Sequence, residues 1–240
     1  MKTKVKKKLS LLFKNYQLVL PGDKLAVGNY KPGLGVFREK SKDGNIFYSA
    51  LIGLASIRGN VISLIPLEGT YVPLEEDIVI GLITQVGGRS WMVDINAPYP
   101  AILSASSVLD RGKGSIGDLS RYLQDGDLVV AKVLSADRTR DPVLTMQQRG
   151  LKKLVSGRLV SVNPVKIPRI IGKRGSMISL IKDMTKSQIY VGQNGRIVIN
   201  APDFETENLI IEIFNKIEAE AHISGLTDRV KEMIKERLNN

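Results

Sequence analysis

Residues Ile170–Ile178 read IIGKRGSMI, and this stretch decides how the last third of the chain is interpreted. Gly172 and Gly175 lie three residues apart and enclose Lys173 and Arg174. Because glycine adopts backbone conformations that other residues avoid, this spacing predicts a sharp turn between two short helices. The second helix would direct its free amide groups and positive dipole end at the turn. The pattern therefore predicts a loop that approaches a sugar-phosphate chain closely.

The segments around this loop follow the order strand, helix, helix, strand, strand, helix. Leu154–Val162 is predicted as a strand, and Arg169–Met184 as helical apart from the glycine break. Two strands follow, joined by Gly192–Gly195, whose Asn-Gly pair is typical of a hairpin turn. A helix starts near Asp203, and its apolar residues between Ile210 and Ile217 recur with helical spacing. This order predicts an α+β domain.

The third segment resembles a type I KH domain, and the glycine loop carries the resemblance. KH domains hold a few nucleotides of single-stranded nucleic acid between this loop and the adjoining sheet edge, so the resemblance implies RNA binding. It assigns the contacts to the loop and its flanks: Arg169, Ile171, Gly172, Lys173, Arg174, Gly175 and Ser176. The residues alone leave an alternative, a plain link between helices with solvated basic side chains.

Residues 67–150 are predicted to form a five-stranded OB-type barrel. Asp77–Val86 is rich in β-branched residues, and a Gly-Gly turn leads from it into a second strand, Ser90–Ile95. Residues 111–119 read as a loop, and the three further predicted strands are Pro100–Leu103, Leu128–Ala136 and Val143–Gln147. The stretch Ile80–Val86 followed by Val93–Ile95 resembles the RNA-binding OB repeat named after ribosomal protein S1. Trp91 beside the second strand is predicted to belong to the core, with base stacking as the alternative.

The barrel departs from the S1 pattern at two positions. Met92 stands where the repeat usually has Phe, and Ser104 where it usually has His. Stacking platforms contribute about 1–3 kcal/mol per base, so we expect weak base stacking here. The remaining RNA-binding candidates are cations in or near loops, whose alternative interpretation is ordinary surface charge. They are Arg89, Arg111, Lys113, Arg121, Lys132, Arg138 and Arg140.

Residues 1–66 are predicted to form a small all-β domain. Three stretches are predicted as turns, Pro21–Asp23, Lys31–Gly33 and Lys42–Asn45. Short β-like runs lie between and after them, at Lys24–Val27, Gly35–Arg38, Ile46–Leu54 and Asn60–Leu64. The predicted organisation is therefore an all-β N-terminal domain, an OB-type barrel over 67–150 and an α+β type I KH domain over 151–240.

Composition narrows the classes of function. The 240 residues carry a formal net charge of +11, distributed as +9 over 1–66, −4 over 67–148 and +6 over 149–240. A basic surface attracts polyanions, of which nucleic acid is the commonest. The absence of cysteine excludes a disulfide scaffold, a thiol nucleophile and a thiolate zinc site. With no apolar run near the roughly 20 residues of a membrane span and no signal peptide, we expect a cytoplasmic protein without membrane, metal or cofactor.

The sequence contains no convincing catalytic set. His222 is the only histidine, and it lies on a predicted helix. Glu75–Asp77 reads as a solvated turn before a strand, because successive residues of an extended chain point to opposite faces. Gly33–Gly35 is a lone GxG in a turn. We therefore predict a protein that is not an enzyme.

The order of the three domains resembles the KH-containing cap subunits of the RNA exosome, the family of ribosomal-RNA-processing protein four. Pro21–Asp23, Tyr48–Leu54, Trp91–Ile95 and the intact Gly172–Gly175 loop carry the resemblance, and the loop looks like that of the archaeal members. It implies that cap subunits bind single-stranded, A-rich RNA and guide its 3′ end into a ring of RNase PH-like subunits for 3′→5′ degradation. It also implies that residues 1–66 contact the ring beside other cap subunits.

Two alternatives remain open from the sequence. One is a ribosome- or translation-associated RNA-binding protein, because KH and OB modules recur there and a fold does not determine a function. The other is a free-standing ribonuclease.

Overall fold

A computed structural model describes residues 10–41, 44–67, 69–108, 119–137, 140–220 and 225–238 of the chain. The chain divides into two units, one ending at Gly69 and the other beginning at Thr70. Within these described ranges, no helix is long and apolar enough to cross a membrane.

The first unit consists of two β-sheets around a small apolar core. Its strands are β1 (Ser10–Leu11), β2 (Gln17–Val19), β3 (Lys24–Val27), β4 (Lys31–Pro32), β5 (Val36–Ser41), β6 (Gly44–Ser49), β7 (Gly53–Arg58) and β8 (Val61–Pro66). The sheet orders are β1-β3-β6-β5 and β2-β7-β8-β4. Leu25, Phe47 and Ile62 are fully buried in the core. The prediction of an all-β N-terminal domain is confirmed.

Two local predictions for this unit were wrong. The run Ile46–Leu54 is not one strand, because the chain turns after Ser49, whose hydroxyl donates to the Leu51 carbonyl at 2.6 Å, and continues as β7. The sequence hides this break since apolar residues continue through it. Lys31–Pro32 was predicted as part of a turn, but it pairs in parallel with Val61–Ile62. A proline is accommodated there because β4 is an edge strand.

The second unit begins with a closed barrel. Its strands are β9 (Ile78–Val86), β10 (Ser90–Asp94), β11 (Ala101–Ser104), β12 (Leu128–Asp137) and β13 (Arg140–Thr145), and β14 (Lys152–Leu154) adds to one end of β12. β12 pairs with both β9 and β13, and the parallel pairing of β11 with β13 completes the closure. The predicted five-stranded OB-type barrel is confirmed.

The rest of the second unit has the strand and helix order of a type I KH domain. Its elements are β15 (Arg158–Ser161), α1 (Ile167–Ile171), α2 (Ser176–Thr185), β16 (Gln188–Val191), β17 (Arg196–Asn200), α3 (Phe204–Ala219) and α4 (Leu226–Leu238). The antiparallel sheet has the order β15-β17-β16. The predicted strand Leu154–Val162 is instead two strands, because β14 pairs with the barrel and β15 with β17.

The KH sheet is covered on both faces. Ile197 and Ile199 of β17 pack in the core that the four helices share. Val198, between them, packs on the opposite face against Ile80 and Val130 of the barrel. Because successive strand residues point to opposite faces, this double cover explains why β17 is buried from its first residue to its fourth.

Candidate nucleic-acid interface

The glycine loop begins where α1 ends. The Gly172 amide donates to the Pro168 carbonyl at 3.0 Å and closes the last turn of the helix. Gly172 then adopts φ 76° and ψ 174°, a conformation that is essentially restricted to glycine. A Cβ atom on Gly172 would lie 2.7 Å from both the main-chain nitrogen and the Cβ of Met177. Conformation and space therefore both require glycine at this position.

The second half of the loop reverses the chain into α2. Arg174 (φ 54°) and Gly175 (φ 81°) are both left-handed, and the Gly175 amide donates to the Gly172 carbonyl at 3.2 Å. Gly175 precedes the first residue of α2, and no side chain caps the helix there. The Ser176 amide donates to the Lys173 carbonyl. Since the following amides of the first turn have no partner within the helix, those of α2 can bind an external acceptor such as a phosphate oxygen.

The predicted contact residues of the loop lie together on one surface. Lys173, Arg174 and Ser176 are exposed, as is Arg169 on α1. Ile171 is half-buried and packs against the helical core. The loop is therefore anchored by apolar side chains and presents its polar groups to solvent.

The stretch of sequence that contains the loop carries only basic side chains among its charged residues. Residues 142–182 contain nine Lys or Arg and no Asp or Glu. Two of these cations are paired with carboxylates from elsewhere in the fold, Lys153 with Asp127 at 2.6 Å and Arg158 with Glu207 at 3.0 Å. Both pairs lie outside the loop, so the positive potential at the loop is retained.

The turn Gly192–Gly195 is inserted into the barrel. Asn194 is fully buried, and its Nδ2 donates to the carbonyls of Ile80 and Ile95, each at 2.8 Å. Its Oδ1 accepts from the Ile80 amide at 3.2 Å, while the Asn96 side chain donates to the Asn194 carbonyl at 2.9 Å. The sequence predicts only a hairpin turn here. The Asn-Gly signal is local, so it does not reveal a partner that lies about a hundred residues away.

A charged pair lies at the same junction, the contact between the Gly192–Gly195 turn and the barrel. Arg196 donates to both the carboxylate and the main-chain carbonyl of Asp94 at 2.5 Å. Burial opposes ionisation of Asp94, but hydrogen bonds from Arg196 and the Asn96 amide, with the guanidinium charge, outweigh it and lower the pKa of this carboxyl. Asp94 of the Val93–Ile95 motif therefore serves the junction between barrel and KH domain.

Two of the predicted barrel cations, Arg89 and Arg121, lie away from the contact between the KH turn and the barrel. Arg89 is exposed in the β9–β10 turn, and Arg121 is exposed two residues before Leu123. β9 has nine residues, so at about 3.3 Å per residue its ends lie roughly 25 Å apart, with the junction at one end and Arg89 near the other. Three other predicted RNA contacts lie outside the described residues, namely Arg111, Lys113 and Arg138. His222 lies outside them as well. Lys132 is buried and paired with Glu76 at 2.5 Å, so it is not available as an RNA contact.

The outer face of β10 and β11 lacks the aromatic side chains of the S1 pattern. Met92 is partly exposed opposite Ile102, and the Ser104 hydroxyl lies 2.9 Å from that of Ser106. Trp91 is fully buried, and its indole nitrogen donates to the Leu123 carbonyl at 3.0 Å. Trp91 therefore belongs to the core. In the part of the chain that the structure describes, no group of three or more His, Cys, Asp or Glu residues could hold a metal ion.

Comparisons with known proteins agree with this architecture. The family model of the exosome RNA binding protein RRP4 N-terminal domain matches residues 16–68, and that of the exosome complex component RRP40 S1 domain matches residues 71–157. The exosome complex component Rrp4 of Thermofilum pendens is 43% identical over 231 residues, which cover 95% of this chain and 96% of that protein. The protein of the same name from Thermococcus kodakarensis is 44% identical, with 95% and 88% covered.

A solved structure supports the same relationship. The crystal structure of an exosome complex RNA-binding protein superposes with a TM-score of 0.61 at 38% identity, covering 71% of this chain and 98% of that one. An S1-type barrel joined to a KH domain with an intact glycine loop defines the class, a multidomain protein with two modules of the nucleic-acid-binding type. The sequence identity of 43% and 44% to two Rrp4 proteins, over 95% of this chain, shows the family as well. The chain belongs to the Rrp4 family of exosome complex components.

Proposed function

We propose that this chain is a non-catalytic, cytoplasmic cap subunit of an RNA exosome that binds single-stranded RNA. The observation that carries the proposal is the Gly172–Gly175 loop, in which two exposed cations flank the uncapped start of α2. The relatives support the assembly, since they are named exosome complex components. Residues 1–66, 67–150 and 151–240 are the proposed ring-contact, S1-type and KH domains.

The loop binds phosphate groups in this proposal. Main-chain amides at the start of α2 and the side chains of Lys173 and Arg174 neutralise two consecutive phosphates. Arg169 and Ser176 extend the contact on either side, and Ile171 gives the bases an apolar floor. Among the described strands β16 pairs with β17 alone, so its other edge is free. We propose that the RNA lies in a groove between the glycine loop and this free edge.

The barrel supplies a weaker, electrostatic guide. Arg89 and Arg121, together with Arg111, Lys113 and Arg138, attract the backbone without stacking on bases. The A-rich 3′ end then passes to a ring of RNase PH-like subunits beside other cap subunits, and those ring subunits carry out 3′→5′ cleavage. We propose no bond cleavage by this chain, because it has no cysteine and a single histidine, and its described residues include no group of three or more His, Cys, Asp or Glu that could hold a metal ion.

A charge reversal in the loop tests RNA binding. The double variant K173D/R174D should bind a poly(A) oligonucleotide at least tenfold more weakly. Its slope of log affinity against log salt should fall by about 1.4, since each phosphate contact with a single strand contributes about 0.7. The control K231D/K235D makes the same charge change on exposed positions of α4 and should retain most of the affinity. Equal losses in the two variants would remove the loop from the mechanism.

Two further measurements separate the proposal from its alternatives. The purified chain, incubated with labelled RNA with and without phosphate or divalent metal, should leave the RNA intact, and robust shortening would favour a free-standing ribonuclease. A pull-down from native extract should recover RNase PH-like subunits. Recovery of ribosomal proteins without them would favour a translation-associated RNA-binding protein.

A further inference from the structure

An open cavity of about 270 Å³ lies between β14 and the KH sheet, and we call it the β14 pocket. Lys152 of β14, Gln188 and Tyr190 of β16 and Asn200 of β17 line it. Gln188 pairs with Asn200, and Tyr190 packs with the apolar residues between sheet and barrel. Because alternate residues of a strand share a face, Gln188 and Tyr190 point towards the barrel. The pocket is therefore on the face of the sheet that the helices do not cover.

An aromatic ring and a cation meet in the β14 pocket. The Lys152 ammonium lies 4.8 Å from the centroid of the half-buried Tyr190 ring. The neighbouring Lys153 is paired with Asp127 at 2.6 Å, whereas Lys152 is exposed and pairs with no carboxylate among the described residues. Aromatic rings stack on bases, and lysines bind phosphate groups. This pair of side chains therefore fits a nucleotide.

Two carboxamides add polar groups to the same pocket. The Gln188 Oε1 accepts from the Tyr190 hydroxyl at 3.3 Å, and the Asn200 Nδ2 donates to the Ser156 hydroxyl at 3.1 Å. Each carboxamide has two donor hydrogens and an oxygen with two lone pairs, so each retains further hydrogen-bonding capacity. Asn and Gln carboxamides pair with N6 and N7 of adenine, an edge that an unpaired base exposes. The pocket is therefore favourable for adenine.

The β14 pocket and the glycine loop lie at opposite ends of α2. The helix starts at Ser176, directly after the loop, and ends at Thr185, three residues before Gln188. Its ten residues span about 15 Å. A KH loop holds about four nucleotides, and the outer edge of β16 is free among the described strands. A longer strand that follows α2 can therefore cross this edge into the pocket.

We propose that the β14 pocket binds one adenine nucleotide of an RNA strand that the glycine loop already holds. The base replaces the Lys152 ammonium over the Tyr190 ring, because base stacking is stronger than a cation–π contact at an exposed site. The displaced ammonium binds the phosphate of that nucleotide, and Gln188 and Asn200 contact the edge of the base. The inference rests on the proposed function, since it takes RNA as the ligand of the loop. It adds a second, base-selective contact on the barrel side of the sheet.

Two lengths of RNA separate the pocket from the loop. An adenylate tetranucleotide fills the loop, and an octanucleotide also reaches the pocket. In the full chain, K152Q and Y190L should each weaken octanucleotide binding at least fivefold and tetranucleotide binding less than twofold in NMR titrations. K152Q should also lower the salt slope for the octanucleotide by about 0.7. The matched control K231Q, at an exposed position of α4, should leave both affinities within twofold.

The carboxamides are tested by base preference. The double variant Q188A/N200A changes two exposed side chains at strand ends. It should reduce the preference for an adenylate over a uridylate octanucleotide about fivefold or more, which is the discrimination of a bidentate contact. Its affinity for the uridylate octanucleotide should stay within twofold. An unchanged preference would contradict the adenine selectivity that we assign to the pocket.

The outcomes separate this inference from the proposed function. If K152Q and Y190L bind the octanucleotide like the unmodified chain while K173D/R174D binds it weakly, the pocket is not used although the proposed function stands. Equal losses of K152Q on both lengths would also overturn the inference, because they would reflect overall charge. If the unmodified chain binds neither oligonucleotide, both fail. If free AMP binds as tightly as the octanucleotide and Q188A/N200A abolishes this, the pocket takes a free nucleotide, and the inference is overturned.

Discussion

Asn194 in the KH turn and Ile80 in the barrel strand β9 exchange two hydrogen bonds through one carboxamide. The Asn194 Nδ2 donates to the Ile80 carbonyl at 2.8 Å, and its Oδ1 accepts from the Ile80 amide at 3.2 Å. A side chain thus completes the main-chain hydrogen bonding of a strand in the neighbouring domain. Because a buried main-chain group without a partner is costly, this residue couples the stability of the two domains.

We predict that N194A destabilises the second unit by about 3 kcal/mol, since it leaves the amide and carbonyl of Ile80 and the carbonyl of Ile95 unbonded in a buried site. Urea unfolding followed by far-UV circular dichroism measures this change. N200A is the matched control, because Asn200 is exposed and bonds the Ser156 hydroxyl. A similar loss in both variants would show that the junction does not depend on Asn194.

The two glycines of the loop should differ in their tolerance of alanine. G175A should cost about 1–2 kcal/mol, because the left-handed conformation is disfavoured for alanine while space for a Cβ is available. G172A should cost more, since its Cβ would also collide with the Met177 backbone. Thermal unfolding and poly(A) affinity, measured on both variants, should rank them in this order. The opposite order would contradict the loop geometry.

Acid should weaken the junction between Asp94 and Arg196. The pKa of Asp94 is lowered in the folded chain, so its contribution to stability is fully present above the unfolded value of about 3.9 and is lost as pH falls through the folded pKa. The contribution is small because the Asp94 side chain is 42% exposed. D94N should therefore be less stable than the unmodified chain at pH 7, and the difference should shrink below pH 4 in urea unfolding. A difference that stays constant with pH would contradict this account.

Trp91 should report on the barrel core and not on bound RNA. It is the only tryptophan of the chain and is fully buried, so its emission should be blue-shifted in the folded chain and shift to the red on unfolding. Saturation with poly(A) should leave the emission unchanged. W91F should cost about 1–3 kcal/mol, because the Leu123 carbonyl loses its donor. Strong quenching by RNA would mean that the indole is accessible to bases.

Local patterns predicted most of the KH domain. The Asn-Gly turn predicted the hairpin of β16 and β17, helical periodicity predicted α3, and Gly172 and Gly175 predicted the loop. Each of these signals depends on residues that are close in sequence. The same patterns failed at Leu154–Val162, where two strands of different sheets follow one another. A run of β-branched residues predicts an extended chain, but it does not predict which strand will pair with it.

The sequence by itself determined the three kinds of domain, their order and the glycine loop with its cations. Glycine conformation, side-chain periodicity and charge are properties of neighbouring residues, and they act before any long-range contact forms. Only the tertiary structure decided that Asn194 completes a barrel strand, that Arg196 holds Asp94 and that Lys152 lies over the Tyr190 ring. These contacts join residues far apart in the chain, and their free energy exists only when the folded backbone brings them together.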